Sequence, residues 1–222
     1  HKPRPAIGIA FVAMKRNIAD LPAVLRLGKS VGAMRFSVSN LLPHTEAMAK
    51  EILYEETLNS ITYLQSDWLR RMEMPKMDFN ETTGESILQA LTSGYNVNLA
   101  GNNLGGANNV CTFIESGSLA VGWDGRVSPC PPLLYTHTGY LRGYERVSHA
   151  HAVGNIRQQD LLAIWQDPEY VAYRDRVQRF AFAPCTYCGG CEVSRENSTD
   201  CFDNPAPACG GCLWAQAIIQ CP

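Results

Sequence analysis

Seven of the nine cysteines fall within the 37 residues from Cys185 to Cys221, as CTYCGGC, then a lone Cys201, then CGGCLWAQAIIQC. Thiolates are soft ligands, and zinc or iron-sulfur centres use them at this density, four sulfurs completing either kind. Two more stand upstream, Cys111 and Cys130. In a reducing compartment, clustered Cys-x2-Cys units read as metal sites, whereas a secreted disulfide framework would normally show an even count.

Zinc and iron-sulfur readings divide these thiols differently. Cys185-x2-Cys188 and Cys209-x2-Cys212, with 20 residues between the inner pair, fit the spacing of a zinc ribbon. A ribbon leaves Cys111, Cys130, Cys191, Cys201 and Cys221 without work. Two 4Fe-4S clusters need eight thiolates, and nine are present. The Gly-Gly pair inside each CGGC lets backbone N–H groups turn toward cluster sulfurs and compensate their charge. A third reading is a redox dithiol, with a CGGC at a helix N-terminus depressing a thiol pKa.

The chain must fold so that distant cysteines meet. Leu119 to Trp123 and Arg126 to Ser128 flank Asp124-Gly125, a dipeptide that favours a two-residue type I′ hairpin turn. Such a hairpin brings Cys111 and Cys130 close despite the 18 residues between them, and Pro129, Pro131 and Pro132 stiffen the backbone around Cys130. Asp160 to Trp165 reads as a short helix. Asp167-Pro168 opens a longer one, whose Tyr170, Tyr173, Val177 and Phe180 form a core stripe.

The front half has another pattern. Residues 6–14 are a nearly continuous apolar run, as in a parallel strand covered on both faces. A helix follows, with Asp20 as cap, Pro22 in its first turn and Gly32 after its end, and then a strand from Met34 to Leu42. This is a parallel strand-helix-strand crossover. Arg16 and Asn17 after the first strand, and Ser39 and Asn40 on the second, stand where parallel sheets bind ligands and read either as a rim for a polar cofactor or as loop solvation and helix capping. Helical patterns run from Thr45 to Leu64 and from Glu85 to Ser93, the latter with Ile87, Leu88 and Leu91 on its face. Met72, Met74 and Met77 read as core filling. Residues 101–109 form a Gly/Asn-rich linker, and His137, His149 and His151 have no partner at ligand spacing.

Composition excludes several classes of function. The net charge of -2 and pI near 6.2 give no basic field for nucleic acid, and no run of 18 apolar residues marks a membrane span. A cytoplasmic protein is expected. The chain starts at His1 rather than Met, and two parallel strands alone make no domain, so a truncated front is expected.

Cys111, Gly125-x4-Cys130, and the dense cysteine run ending in a solitary Cys221 resemble the SPASM domain, the auxiliary-cluster domain of many radical S-adenosylmethionine (SAM) enzymes. AFVAMKRNIADLP and RFSVSNLLPHT look like late strands of the radical SAM barrel. More narrowly, VGWDGRVSPCPPLL, FAFAPCTYCGGCE and CGGCLWAQAIIQCP look like the radical SAM maturases of tungsten-dependent aldehyde:ferredoxin-type oxidoreductases. The usual SPASM run is Cys-x2-Cys-x5-Cys-x3-Cys, whereas here Cys185, Cys188 and Cys191 are followed by Cys201 after nine residues and then by Cys209, Cys212 and Cys221.

The resemblance implies an α/β chain: late strands of a partial (β/α)6 barrel over 1–43, connecting helices over 44–100, and a cysteine-rich α+β SPASM-like domain over 101–222. It implies two auxiliary 4Fe-4S clusters. One would take Cys111 and Cys130 with a cysteine from the 209/212 pair; the other would take Cys185, Cys188, Cys191 or Cys201, and Cys221. Arg16, Asn17, Ser39 and Asn40 become candidate SAM contacts. The implied partners are a tungsten-dependent oxidoreductase or its cofactor and an electron donor such as ferredoxin, with no nucleic acid and no membrane. The Cys-x3-Cys-x2-Cys motif that holds the SAM-cleaving cluster in that family is absent, so this chain alone is expected to be inactive. The competing expectation is a zinc-ribbon module that binds a protein partner without catalysis.

Overall fold

The structure, a computed structural model, describes residues 6–57, 77–93, 97–99, 109–186 and 191–219. They fall into two compact units, one of residues 1–43, 47–108 and 217–222, the other of 44–46 and 109–216. Among the described residues no helix is long and apolar enough to cross a membrane.

In the first unit, β1 (Gly8–Ala13), a 3-10 turn (Ile18–Asp20), α1 (Leu21–Ser30) and β2 (Arg35–Asn40) make the expected parallel crossover, paired from Gly8 with Arg35 to Ala13 with Asn40. Pro22 sits in the first turn of α1, where no backbone donor is required. Gly28 sets how closely α1 lies on the sheet, since a Cβ there would meet Phe36 Cε2 at 2.8 Å and Ile9 Cδ1 at 2.9 Å. A short α2 (Glu46–Ala49) and α3 (Gly84–Leu91) precede β3 (Val97–Leu99), which pairs with β2 in parallel to give the order β1-β2-β3. Leu21, Leu25, Phe36, Val38, Leu53, Met77 and Ile87 form the core of this unit.

Several expectations need correction here. Among the described residues β1 lies at the edge of its sheet and is covered on one face, with Ile9 and Phe11 toward the core and Gly8, Ala10 and Val12 exposed. The helix read from Thr45 to Leu64 stops at Ala49. Residues 50–57 run as turns because Ile52, Leu53 and Tyr54 are all buried, and successive side chains cannot share one helical face. The Tyr54 hydroxyl donates to the Leu41 carbonyl at 2.9 Å and holds this segment on the core. On α3, Ile87 and Ala90 face inward while Leu88 is exposed. Residues 58–64, Met72, Met74 and 101–108 lie outside the described residues.

The second unit runs through α4 (Thr112–Glu115), β4 (Ala120–Val121), β5 (Arg126–Ser128), β6 (His137–Leu141), β7 (Tyr144–Ser148), β8 (Gly154–Asn155), α5 (Leu161–Trp165) and α6 (Pro168–Arg179). β4, β5 and β8 form one antiparallel sheet, and β6 with β7 form a separate ribbon. The turn between β4 and β5 differs from expectation. Gly122 N–H donates to the Arg126 carbonyl and Gly125 N–H to the Gly122 carbonyl, and Gly125 has φ 83° while Asp124 is not left-handed. Three residues therefore make the loop, a type I turn closed by a left-handed glycine, rather than a type I′ pair.

The left-handed pair is found instead at Arg142 (φ 52°) and Gly143 (φ 77°), which join β6 to β7. That hairpin is absent from the sequence reading, because its only turn signal is the glycine of Arg142-Gly143. Both expected helices of this half form. Asp160 accepts from Leu162 N–H at 2.8 Å, and Asp167 from Glu169 and Tyr170 at 2.9 and 3.1 Å, so each helix has a side-chain N-cap. Tyr170, Tyr173 and Val177 of α6 pack with Ile114 and Phe182 into the core of the unit.

Candidate metal centre

Each upstream cysteine is placed by the local structure that its neighbours dictate. Cys111 is the extended residue before α4, and Cys130 the extended residue before a 3-10 turn (Pro131–Leu133), whose two prolines suit its first positions. Ser128 Oγ donates to the Cys130 carbonyl at 3.2 Å. The β4–β5 hairpin lies between the two.

Cys209 and Cys212 close a tight loop in which Cys212 N–H donates to the Cys209 carbonyl at 3.0 Å. Both glycines of that loop serve close packing: a Cβ on Gly210 would run into the Ala183 carbonyl oxygen, and one on Gly211 into the Arg146 guanidinium.

These four cysteines come within electrostatic reach of one another, with Cys212, Cys209 and Cys111 all bearing on Cys130. Burial pushes the Cys111 thiol up to about 11 and the Cys209 thiol up to about 12, and it raises Cys130 and Cys212 as well. The neighbouring thiols add to the rise at Cys111, Cys130 and Cys209.

Backbone donors act the other way and favour the thiolate. Ile114 and Phe113 N–H groups serve Cys111, Leu133 serves Cys130, and Ala215 and Trp214 serve Cys212. Cys209 instead has the Tyr173 hydroxyl, 3.3 Å from its sulfur. Buried thiols that raise one another's pKa while facing N–H and O–H donors are suited to bind together as thiolates once a cationic centre supplies the missing charge. Among the described residues, no three His, Cys, Asp or Glu side chains are gathered closely enough for one metal ion.

A second group forms around Cys185, whose thiol is raised by burial, with Arg146 opposing that rise and Asp200, Cys201 and Cys191 adding to it. Cys191 and Cys201 are exposed. Asp200 holds the turn that carries Cys201, accepting from Ala183 N–H at 2.9 Å, Phe202 N–H at 2.9 Å and Asn204 N–H at 3.2 Å. Cys188 and Cys221 lie outside the described residues.

The strand-end residues are held locally. Asn17 Nδ2 donates to the Val12 carbonyl at 3.0 Å, and its Oδ1 accepts from Met14 N–H at 2.8 Å, closing the loop after β1. Arg16 is exposed and pairs with Glu51, Nε to Oε1 3.4 Å. Ser39 and Asn40 are buried, and Asn40 Nδ2 donates to the Ile218 carbonyl at 3.0 Å. His149 pairs with Glu196 at 3.2 Å, and His151 lies 5.8 Å from the Tyr173 ring, centroid to centroid. Two residues of this site have no functional role in the sequence reading. Tyr173 enters it only as part of the core stripe, and Arg146 sits on a strand without a recognisable pattern.

Comparison with known proteins gives one family match and one relative. Residues 111–192 match SPASM, an iron-sulfur cluster-binding domain. The chain is 28% identical over 222 residues to the tungsten-containing aldehyde ferredoxin oxidoreductase cofactor-modifying protein of Pyrococcus furiosus. That alignment covers 99% of this chain and 56% of the relative, so the chain spans little more than half the relative's length. No solved structure gives a significant match.

Proposed function

We propose that the chain is the cluster-bearing part of a cytoplasmic radical SAM maturase, which holds two auxiliary 4Fe-4S clusters and takes part in modifying the cofactor of a tungsten-dependent oxidoreductase. The observation that carries this reading is that Cys111, Cys130, Cys209 and Cys212, from distant parts of the second unit, lie within electrostatic reach of one another among N–H and O–H donors. In the proposal these four hold one cluster. Cys185, Cys188, Cys191 or Cys201, and Cys221 hold the other, which leaves one thiol spare. The relative's cofactor-modifying role favours a cofactor over a peptide as the object modified.

When bound, such clusters would supply one-electron transfer. The protein's part is to keep the sulfurs anionic and largely out of water, through the backbone donors at Cys111, Cys130 and Cys212 and the Tyr173 hydroxyl at Cys209. Reductive cleavage of SAM is not assigned to these residues, because they lack Cys-x3-Cys-x2-Cys. In a longer protein, Arg16, Asn17, Ser39 and Asn40 would line the SAM side of the barrel, and a ferredoxin would deliver electrons.

Metal analysis of the chain purified without oxygen tests this. About eight iron with matching acid-labile sulfide per chain is expected. One zinc without sulfide would replace the proposal with a zinc-stabilised interaction module.

A further inference from the structure

Arg146 lies on β7 opposite Gly139, with its guanidinium inside the second unit. Its Nη1 donates to the carbonyl of Gly211, within the Cys209–Cys212 loop, and the guanidinium fills the space that a side chain at Gly211 would occupy. On another side it lines a cavity of about 30 Å³ together with Cys185, Tyr144, Ser194 and Arg195. Its Nε is out of solvent and has no hydrogen-bond partner among the described residues, and no carboxylate there pairs with it. A buried cation without a counter-charge is costly. Glu145 lines the same cavity without forming an ion pair with it, and the Cys212, Cys185 and Cys209 thiols lie within its reach, where as thiolates they would oppose the lowering that burial imposes on its pKa.

We infer that Arg146 is a fixed cation shared by the two groups of cysteines, setting the reduction potentials of both clusters that they would hold. The inference rests on the proposed cluster binding. A cluster accepting one electron gains one negative charge, and a neighbouring guanidinium stabilises the reduced form more than the oxidised form. Arg146 therefore raises both potentials. It is a positioning residue for charge and touches no substrate.

The test is an EPR-monitored dithionite titration of the full, anaerobically purified chain, with iron and sulfide measured on each sample. Arg146→Gln, which keeps a donor for Gly211 and loses the charge, is expected to hold its iron and lower both midpoints at least tenfold in the one-electron equilibrium, about 59 mV each. Arg146→Lys, which keeps the charge and loses the planar fork, is expected to stay within that margin. A fully loaded Gln variant in which neither midpoint moves, or only one, overturns the inference. Should the Gln variant lose iron, the Lys variant decides: unshifted midpoints support the shared charge, and a tenfold fall overturns it. A wild-type chain without iron would overturn the cluster reading itself, an outcome distinct from unchanged midpoints.

Discussion

His151 reports on the candidate centre without being one of its ligands. Its ring packs against Tyr173, whose hydroxyl reaches Cys209, and burial followed by the charge of Arg176 holds its pKa below the usual histidine range. A folded pKa below the unfolded value near 6.5 means that neutral His151 contributes stability above that pH. The contribution is lost as pH falls through the folded pKa. The melting temperature of the wild-type chain is therefore expected to fall more between pH 7 and 5 than that of His151→Gln; parallel curves would refute the assignment. At this scale the cysteines were legible because thiols at close spacing have few other uses. Tyr173 was half legible, since helical spacing reveals which side chain enters a core and says nothing of what a hydroxyl at its tip will meet. Arg146 was not legible, because nothing local marks a cation that becomes buried only when two distant loops close around it.

Elements supply what residue types leave open. The Cys209–Cys212 loop is tight because Ala183 and Arg146 crowd Gly210 and Gly211, so glycine is required there for close approach and not only for turning N–H groups toward sulfur. Gly210→Ala is expected to cost about 1–3 kcal/mol, as overpacking does, and to lose roughly half of the bound iron by displacing Cys209 and Cys212. Gly32→Ala is the control: Gly32 has φ 73° and open space around it, so the variant is strained by about 1 kcal/mol and keeps its iron. Thermal melts with iron analysis separate the two. The strand-helix-strand unit and the capped helices α5 and α6 were readable from proline, aspartate and apolar spacing. The β4–β5 hairpin was readable but its turn type was not, because Asp-Gly suits both a type I′ turn and a three-residue loop, and the choice is made by the register of Val121 with Val127. Arg142-Gly143 takes the left-handed pair although arginine does not announce it.

Among the described residues, one core is built around Leu21, Phe36 and Ile87 and another around Ile114, Tyr170 and Val177. All described cysteines lie in the second unit. Because metal binding and folding are coupled, chelation of iron is expected to speed amide exchange across 109–216 while the β1 and β2 amides stay protected. Equal loss in both units would contradict this. The division itself was only partly visible in the sequence, since the change from a parallel α/β pattern to cysteine-rich hairpins marks where the second unit begins and nothing marks where it ends. It ends where it started: Val110 N–H donates to the Ala215 carbonyl at 3.2 Å, and Gln216 Nε2 to Asn109 Oδ1 at 2.9 Å. The chain then rejoins the first unit, where the Ile218 carbonyl meets Asn40. A segment whose two ends are clasped side by side is a cassette within its host. Evolution can gain, exchange or discard it at one seam, and the host strands need not be rebuilt when the cargo changes.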